Sequence, residues 1–208
     1  MKVLYLYPIW IRAWHWINAL LFITLIISGA SLHYAGGNGF LAFETAILIH
    51  NIAGILLTIA WFVFVIGNFF TDNGKHYRIQ LKGIISRLIK QSLYYAIGIF
   101  RGDAHPFHVS SEMKFNTLQQ LTYIGVMYTL MPILIASGGF FLFAAYLPDK
   151  MMGIGSIWIV AMTHLVVAYL LILFMVSHIY IITTGETIFT NLRAMLTGWH
   201  KEKGGHYL

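Results

Sequence analysis

Four long apolar segments limit most strongly how this chain can fold. They run over residues 14–32, 46–69, 121–147 and 156–183, and each approaches or exceeds the ~20 residues that cross a bilayer. Of all residues, 59% are hydrophobic and 10% are charged, whereas a soluble domain carries about 25% charged residues. The segments predict an all-α, integral membrane four-helix bundle, formed by one transmembrane domain over residues 1–208.

The basic residues predict how these segments are oriented. All but Lys150 of the 13 lysines and arginines lie before the first segment, between the second and third, or after the fourth. By the positive-inside rule, both termini and the long middle loop face the cytoplasm, and the connections around Gly36 and Pro148 face outward. The net charge of +6 therefore reports orientation in the bilayer, and nucleic acid is not expected as a partner.

The middle loop is predicted to contain an amphipathic helix over residues 78–91. Its apolar residues recur at helical spacing, and its polar and basic residues fall on the opposite side. Such a helix is expected to lie in the cytoplasmic interface with its basic face towards anionic headgroups. Alternatively, it presents a surface to a specific partner. The apolar positions are Leu81, Ile84, Ile85 and Leu88, and the polar positions are Lys82, Ser86, Arg87, Lys90 and Gln91.

Histidines inside the apolar segments are the second unusual feature. Desolvation makes ionisable residues rare in membranes, so His15, His50, His164 and His178 are functional candidates. His164 and His178 are 14 residues apart, which is close to four helical turns and about 21 Å, so they project from nearly one face. Because successive segments alternate in direction, His15 is expected at the depth of His178, and His50 at the depth of His164.

Two imidazoles from facing helices are the axial ligands of a six-coordinate haem iron, so the two pairs predict two haem groups. With both axial positions filled, one-electron transfer is favoured over oxygen binding. Gly29 and Gly54 lie near the outer pair, where a missing side chain lets a flat macrocycle approach the backbone. The same glycines are also compatible with ordinary helix packing.

Other roles for these histidines stay open. His33 is also near the outer surface and could replace His50 as a ligand. A proton relay or plain hydrogen bonds between helices are further alternatives. One shared zinc or copper site is disfavoured, because His164 and His178 are separated by most of the membrane. The chain has no cysteine, so any iron–sulfur or covalently attached haem carrier must belong to another polypeptide.

The ordered set of motifs resembles the prokaryotic di-haem cytochrome b561 family. More narrowly, it is similar to the membrane cytochrome b subunits of respiratory formate dehydrogenases, nickel–iron hydrogenases and thiosulfate reductases. The resemblance implies two haem b groups in a bacterial inner-membrane protein, with His15 and His178 ligating the cytoplasmic-side haem and His50 and His164 the outer one. It is carried by residues 11–19 with Ser28-Gly29, His50 with Gly54, residues 94–100 with His105-Pro106, residues 114–123, and the spacing of His164 and His178.

The resemblance also implies a quinone, menaquinone or ubiquinone, near the cytoplasmic haem. The matching positions are Asn116 and Gln119, whose amides can donate hydrogen bonds to a quinone carbonyl. Alternatively, Asn116 is the N-cap of the third helix. Arg12 lies one turn before His15 and could pair with a haem propionate, or it could simply be a topology charge at the interface.

These features favour an electron-transfer subunit that connects the quinone pool with a redox partner at the outer face. The expected partners are an iron–sulfur or multihaem cytochrome subunit and a catalytic subunit. The direction of electron flow is left open. One alternative is a free-standing cytochrome b561 that acts on a small species such as superoxide, and another is a small transporter or scaffold with hydrogen-bonded histidines.

Overall fold

The computed structural model describes residues 2–34, 40–103, 105–107, 110, 113–185 and 187–202. Within these residues, four helices are long and apolar enough to cross a membrane. The predicted all-α membrane bundle is therefore confirmed. In chain order, the elements are β1 (Lys2–Tyr5), α1 (Ile9–His33), α2 (Phe43–Phe70), α3 (Ile84–Leu93), α4 (Thr117–Leu142), β2 (Lys150–Met151), β3 (Ile154–Gly155), α5 (Ser156–Ile182), α6 (Thr190–Thr197) and β4 (Trp199–Glu202).

The first and third predicted segments differ most from the structure in their bounds. Helix α1 begins at Ile9, five residues before the predicted start, because the Arg12 amide already donates to the carbonyl of Pro8 at 3.2 Å. Helix α4 begins at Thr117, where Asn116 caps it, and ends at Leu142. The predicted end at 147 was too late, because Phe143 leaves the helical conformation with φ −110° and ψ 29°.

The amphipathic helix is shorter at its start than predicted. Helix α3 begins at Ile84 rather than at 78, because Gly83 has φ +70° and turns the chain. The Arg87 guanidinium donates to the carbonyls of Gln80 and Lys82, which holds the preceding segment out of the helix. Past Leu93, a π-turn over Tyr94–Gly98 continues the helix to Arg101. The outer connection predicted at Gly36 lies outside the described residues.

The chain groups into two compact units, the first comprising residues 1–12, 67–126 and 176–208, and the second residues 13–66 and 127–175. In the first unit, β1 pairs antiparallel with β4, so that Tyr5 lies opposite Trp199. The Leu6 amide extends this pairing by donating to the Gly198 carbonyl at 2.9 Å. One domain over residues 1–208 stays a prediction.

The second unit packs small residues inside and large apolar residues outside. On α2, Ala46, Ala53 and Ala60 are buried together with Leu57 and Phe64. The intervening large side chains of the same helix are exposed, among them Ile52, Ile55, Ile59, Phe62 and Ile66. This pattern is typical of membrane helices, where small residues let backbones approach and lipid solvates the outer surface.

Helix α4 contains an irregular turn next to Pro132. Pro132 has no amide hydrogen and its ring clashes with the carbonyl four residues earlier, and a π-turn over Val126–Leu130 immediately precedes it. The Trp61 indole donates to the Met127 carbonyl at 2.7 Å. This bond satisfies a carbonyl in the irregular turn and fixes α2 against α4 within the second unit.

Candidate functional site

The predicted outer histidine pair is brought together in the second unit. His50 on α2 and His164 on α5 are half-buried, with ring centroids 6.3 Å apart and ring planes inclined by 69°. The aromatic ring of Phe141 lies edge-on to His164 at 5.7 Å between centroids. Two helices thus present one imidazole each towards the same space.

Each of these imidazoles is held by a serine on a neighbouring helix. Ser28 Oγ lies 3.0 Å from His50 Nδ1, and Ser137 Oγ lies 2.9 Å from His164 Nδ1. Both hydroxyls already donate their hydrogen to the backbone one turn earlier, Ser28 to the Thr24 carbonyl and Ser137 to the Ile133 carbonyl. This arrangement favours the imidazoles as the donors, with their hydrogen on Nδ1.

This tautomer leaves the lone pair of each ring on Nε2. A metal-bound histidine commonly donates its other ring N–H to a fixed acceptor, which orients the ring and increases its basicity. Serine supplies that acceptor here on both sides. Each of the two rings can thus offer Nε2 to a metal ion.

Glycines lie directly against both rings. A Cβ on Gly29 would be 3.2 Å from His50 Cε1, and one on Gly138 would be 3.5 Å from His164 Cε1. A side chain at Gly29 would therefore require the His50 ring or α1 to shift slightly. In contrast, a Cβ on Gly54 or Gly139 would meet no described atom within 4 Å, which leaves room for a flat group beside the backbone.

The outer pair fits a haem iron better than a zinc-type site. With metal–nitrogen bonds of about 2 Å, two imidazoles across one ion have centroids about 6 Å apart, which the observed 6.3 Å matches. Among the described residues, no group of three histidine, aspartate or glutamate side chains could hold a metal. A metal held by only two imidazoles must take its remaining ligands from elsewhere, and in haem the porphyrin supplies them to iron.

The other predicted ligands are placed separately. His15 belongs to the second unit and lies edge-on to the neighbouring Trp16 at 5.2 Å, whereas His178 belongs to the first unit and lies 6.3 Å from the Tyr123 ring. Their pairing stays a prediction. His33 is exposed at the end of α1, where its ring contacts the neighbouring Tyr34.

Arg12 is held in the first unit by the end of α6. Its Nη1 donates to the carbonyl of Leu196 at 2.5 Å, and its buried Nε has no hydrogen-bond partner within the described part of the chain. The carbonyl contact gives Arg12 a structural role there. A propionate contact through the remaining Nε–H stays a prediction.

Asn116 and Gln119 form a capping box at the start of α4. Asn116 Oδ1 accepts from the Gln119 amide at 2.9 Å, and Gln119 Oε1 accepts from the Asn116 amide at 3.1 Å. The Asn116 Nδ2 donates to the Tyr95 hydroxyl at 3.0 Å. Burial raises the pKa of Tyr95, and the hydrogen bond from Asn116 partly opposes this. The cap alternative is thus confirmed, and contact of these amides with a quinone stays a prediction.

The serines that hold the outer histidines were not predicted as site residues. Each stands directly before the glycine that packs against the same ring, as Ser28-Gly29 and Ser137-Gly138. The repeated Ser-Gly dipeptide in the first and third apolar segments was the available signal. It could not be interpreted from one chain, because serine also bonds to its own helix backbone in membrane segments.

Two comparisons with known proteins cover nearly the whole chain. The sequence profile described as prokaryotic cytochrome b561 matches residues 6–198. A protein of Escherichia coli (strain K12) named "Putative cytochrome YdhU" is 39% identical over 198 residues, which make up 95% of this chain and 75% of that protein. The resemblance found in the sequence is therefore confirmed: the chain belongs to the prokaryotic cytochrome b561 family, as a haem-binding membrane protein of electron transfer.

Proposed function

We propose that this protein is a di-haem cytochrome b that connects the quinone pool with a redox partner at the outer face of the bacterial inner membrane. His50 and His164 would hold the outer haem, and His15 and His178 the cytoplasmic one. Both termini would lie in the cytoplasm. When bound, haem supplies one-electron chemistry, and the protein supplies the ligands, their orientation and an apolar environment.

The observation that carries the proposal is the arrangement around His50 and His164. Their ring centroids are 6.3 Å apart, and each ring is oriented by a serine near Nδ1, so that Nε2 would be the ligating nitrogen. If the two histidines served only to hydrogen-bond to each other, neither ring would need its own serine to orient it. If both imidazoles held the haem iron, no position would remain for a further ligand such as oxygen, which favours electron transfer over oxygen chemistry.

The chain itself would contribute to quinone binding at the start of α4. There, the capping box uses only the Oε1 atom of the Gln119 side chain, so its Nε2 group would be the donor to a quinone carbonyl. Asn116 would position it through the capping box, and the Asn116 Nδ2 group, beside the Tyr95 hydroxyl, would be a second donor. An outer-face iron–sulfur or multihaem subunit and a catalytic subunit would complete the complex, since no cysteine in this chain can hold such clusters.

The haem assignment is tested by counting haem in single and double histidine variants. His50→Ala and His164→Ala should each lose one haem from the purified protein, and the double variant should lose no more than either single one. His50→Ala combined with His178→Ala should lose both. The measurement is the reduced-minus-oxidised spectrum together with a pyridine haemochrome assay.

His33→Ala is the matched control, and it should keep the full haem content. A full haem content in His50→Ala, with a loss in His33→Ala, would move the outer ligand to His33. If His50→Ala and His164→Ala lose different haems, so that their double variant has none, the pairing of these two residues is wrong.

The partner is tested by mild solubilisation of the membrane and identification of what co-purifies with the chain. An iron–sulfur or multihaem subunit in the complex, with haem reduction by added quinol, supports the proposal. A chain that purifies alone, ignores quinol and is reduced by superoxide would support the free-standing alternative instead.

A further inference from the structure

The first unit contains a cavity of about 390 Å³ that the proposed electron-transfer path does not use. This volume is in the range of small-ligand sites, which begin at about 300 Å³. Its wall combines cationic, amide and aromatic side chains. The residues that matter to its chemistry are Tyr5, Trp10, Asn73, Lys75, His76 and Lys114.

Two lysines and one aspartate leave the wall of this cavity with a net positive charge. Lys114 is half-buried, and its Nζ lies 5.7 Å from the centre of the Tyr7 ring and 3.5 Å from Asn73 Oδ1. Neither Lys75 nor Lys114 forms an ion pair with a carboxylate in the described ranges, although exposed Asp72 also lines the wall. Burial, and then repulsion from Lys75, lower the pKa of Lys114 to about 8. An anion in the cavity would relieve both effects.

The lining residues also fix where this cavity opens relative to the membrane helices. Pro8 and Trp10 stand at the start of α1, and Thr71 directly follows the last residue of α2. The end of a spanning helix lies at the level of the lipid headgroups. Tyrosine and tryptophan are enriched at this level of a membrane. The cavity wall contains one of each, Tyr5 and Trp10.

We propose that this cavity binds the phosphate headgroup of an anionic phospholipid, with Lys75 and Lys114 as its cationic contacts. Asn73 and the aromatic side chains would line the remainder of the headgroup space. Basic pockets beside membrane helices on the Lys- and Arg-rich side are suited to such headgroups. A soluble anion would find the same charges, but it would not use a cavity bounded by the ends of two membrane helices.

The test measures lipid binding to the delipidated, haem-loaded full-length protein by native mass spectrometry. Phosphatidylglycerol, phosphatidylcholine and inorganic phosphate are the three probes. Phosphatidylglycerol should bind at one saturable site, and both other probes should bind at least tenfold more weakly. Lys75→Gln combined with Lys114→Gln should weaken phosphatidylglycerol binding by about 25-fold, from roughly fivefold for each lysine near a membrane surface.

The matched control is Lys82→Gln combined with Lys90→Gln, which removes two exposed lysines outside the cavity wall. It should change the affinity by less than about threefold, and Lys114→Arg should retain binding because the charge is kept. An equal loss in the control pair would assign the effect to general surface charge and overturn the site.

Two other outcomes would also overturn the proposal. Inorganic phosphate that binds as tightly as phosphatidylglycerol would make the cavity a site for soluble anions. A loss of haem from the Lys75/Lys114 variant, with lipid binding unchanged, would assign the lysines to haem binding. The haem spectrum and the melting temperature of each variant show whether it has folded.

Discussion

His50 and His164 are held by the same set of contacts from different helices, but with different tightness. In both cases a Ser-Gly dipeptide supplies the acceptor for Nδ1 and the close backbone approach to the ring. On the His50 side, a Cβ added to Gly29 would lie 3.2 Å from the ring, which is closer than ordinary van der Waals contact. On the His164 side, the distance at Gly138 is 3.5 Å and Phe141 also contacts the ring.

The comparison separates two functions of the dipeptide. The hydrogen bond is nearly the same length on both sides, as expected if each ring must have its hydrogen on Nδ1. The packing of the glycine against the ring differs between the two sides. We therefore attribute it to how closely the helices approach each other locally, and not to a requirement of metal binding. Variants of the serines should therefore behave alike, and variants of the glycines should not.

The largest effect is expected from the serines. Ser28→Ala and Ser137→Ala each remove the acceptor that orients a ring, and loss of such a contact typically weakens metal binding by about tenfold to a hundredfold. Haem retention during titration with a competing apo-haemoprotein measures this change. Ser31→Ala is the control, because Ser31 is equally buried on α1 but bonds to Ile27 and Leu41 instead of a histidine. A clear loss on one side alone would contradict the shared role.

The glycines should then show the asymmetry between the two sides. Gly29→Ala forces the His50 ring or α1 to move, and overpacking of this kind costs about 1–3 kcal/mol. Gly138→Ala adds a methyl group at ordinary contact distance and should stay close to the native protein. Thermal loss of haem absorbance compares the two variants directly. Equal melting temperatures would show that the 3.2 and 3.5 Å approaches do not matter.

A smaller effect is expected at the start of α4, where one asparagine could cap the helix and bind quinone. Asn116→Ala should lose about 1 kcal/mol of unfolding free energy with the cap. Asn116→Asp keeps an N-cap oxygen but removes the amide donor to Tyr95, so it should keep the stability and slow haem reduction by quinol. Unchanged reduction rates in Asn116→Asp, with normal haem spectra, would leave Asn116 with the cap alone.

The smallest change is the titration of half-buried Lys114 in the first unit. Because the pKa of Lys114 is lowered to about 8, the side chain is cationic below that pH and loses its proton as the pH rises through it. Amine-reactive labelling of Lys114, read by mass spectrometry, should reach half its final rate near pH 8 without any change in haem content. Lys90, exposed on α3, serves as the reference. Identical pH profiles for both lysines would contradict the prediction.

Much of the membrane architecture follows from local sequence properties. A bilayer imposes length and apolarity on each spanning helix, so the four segments could be identified from hydropathy alone. The residues at which these helices begin and end depend on single local contacts, which hydropathy does not detect. Examples are the Asn116 cap, the turn at Gly83 and the departure of Phe143 from helical backbone.

For the candidate site, the sequence predicted which histidines lie at the same depth in the membrane. A period of 3.6 residues per turn fixes which face His164 and His178 share, and alternating helix directions put His50 at the depth of His164. The sequence alone therefore determined the membrane helices, the candidate ligands and the family to which the chain belongs. It did not determine which partner atoms orient those ligands.

The tertiary structure decided those partner atoms. Ser28 lies 22 residues from His50, and Ser137 lies 27 residues from His164, so no local periodicity joins them. Their contact depends on the rotation and separation of neighbouring helices, which side-chain packing sets at close approaches such as Gly29 against His50. The tautomer of each histidine, and with it the nitrogen available to a metal, is therefore a property of the fold.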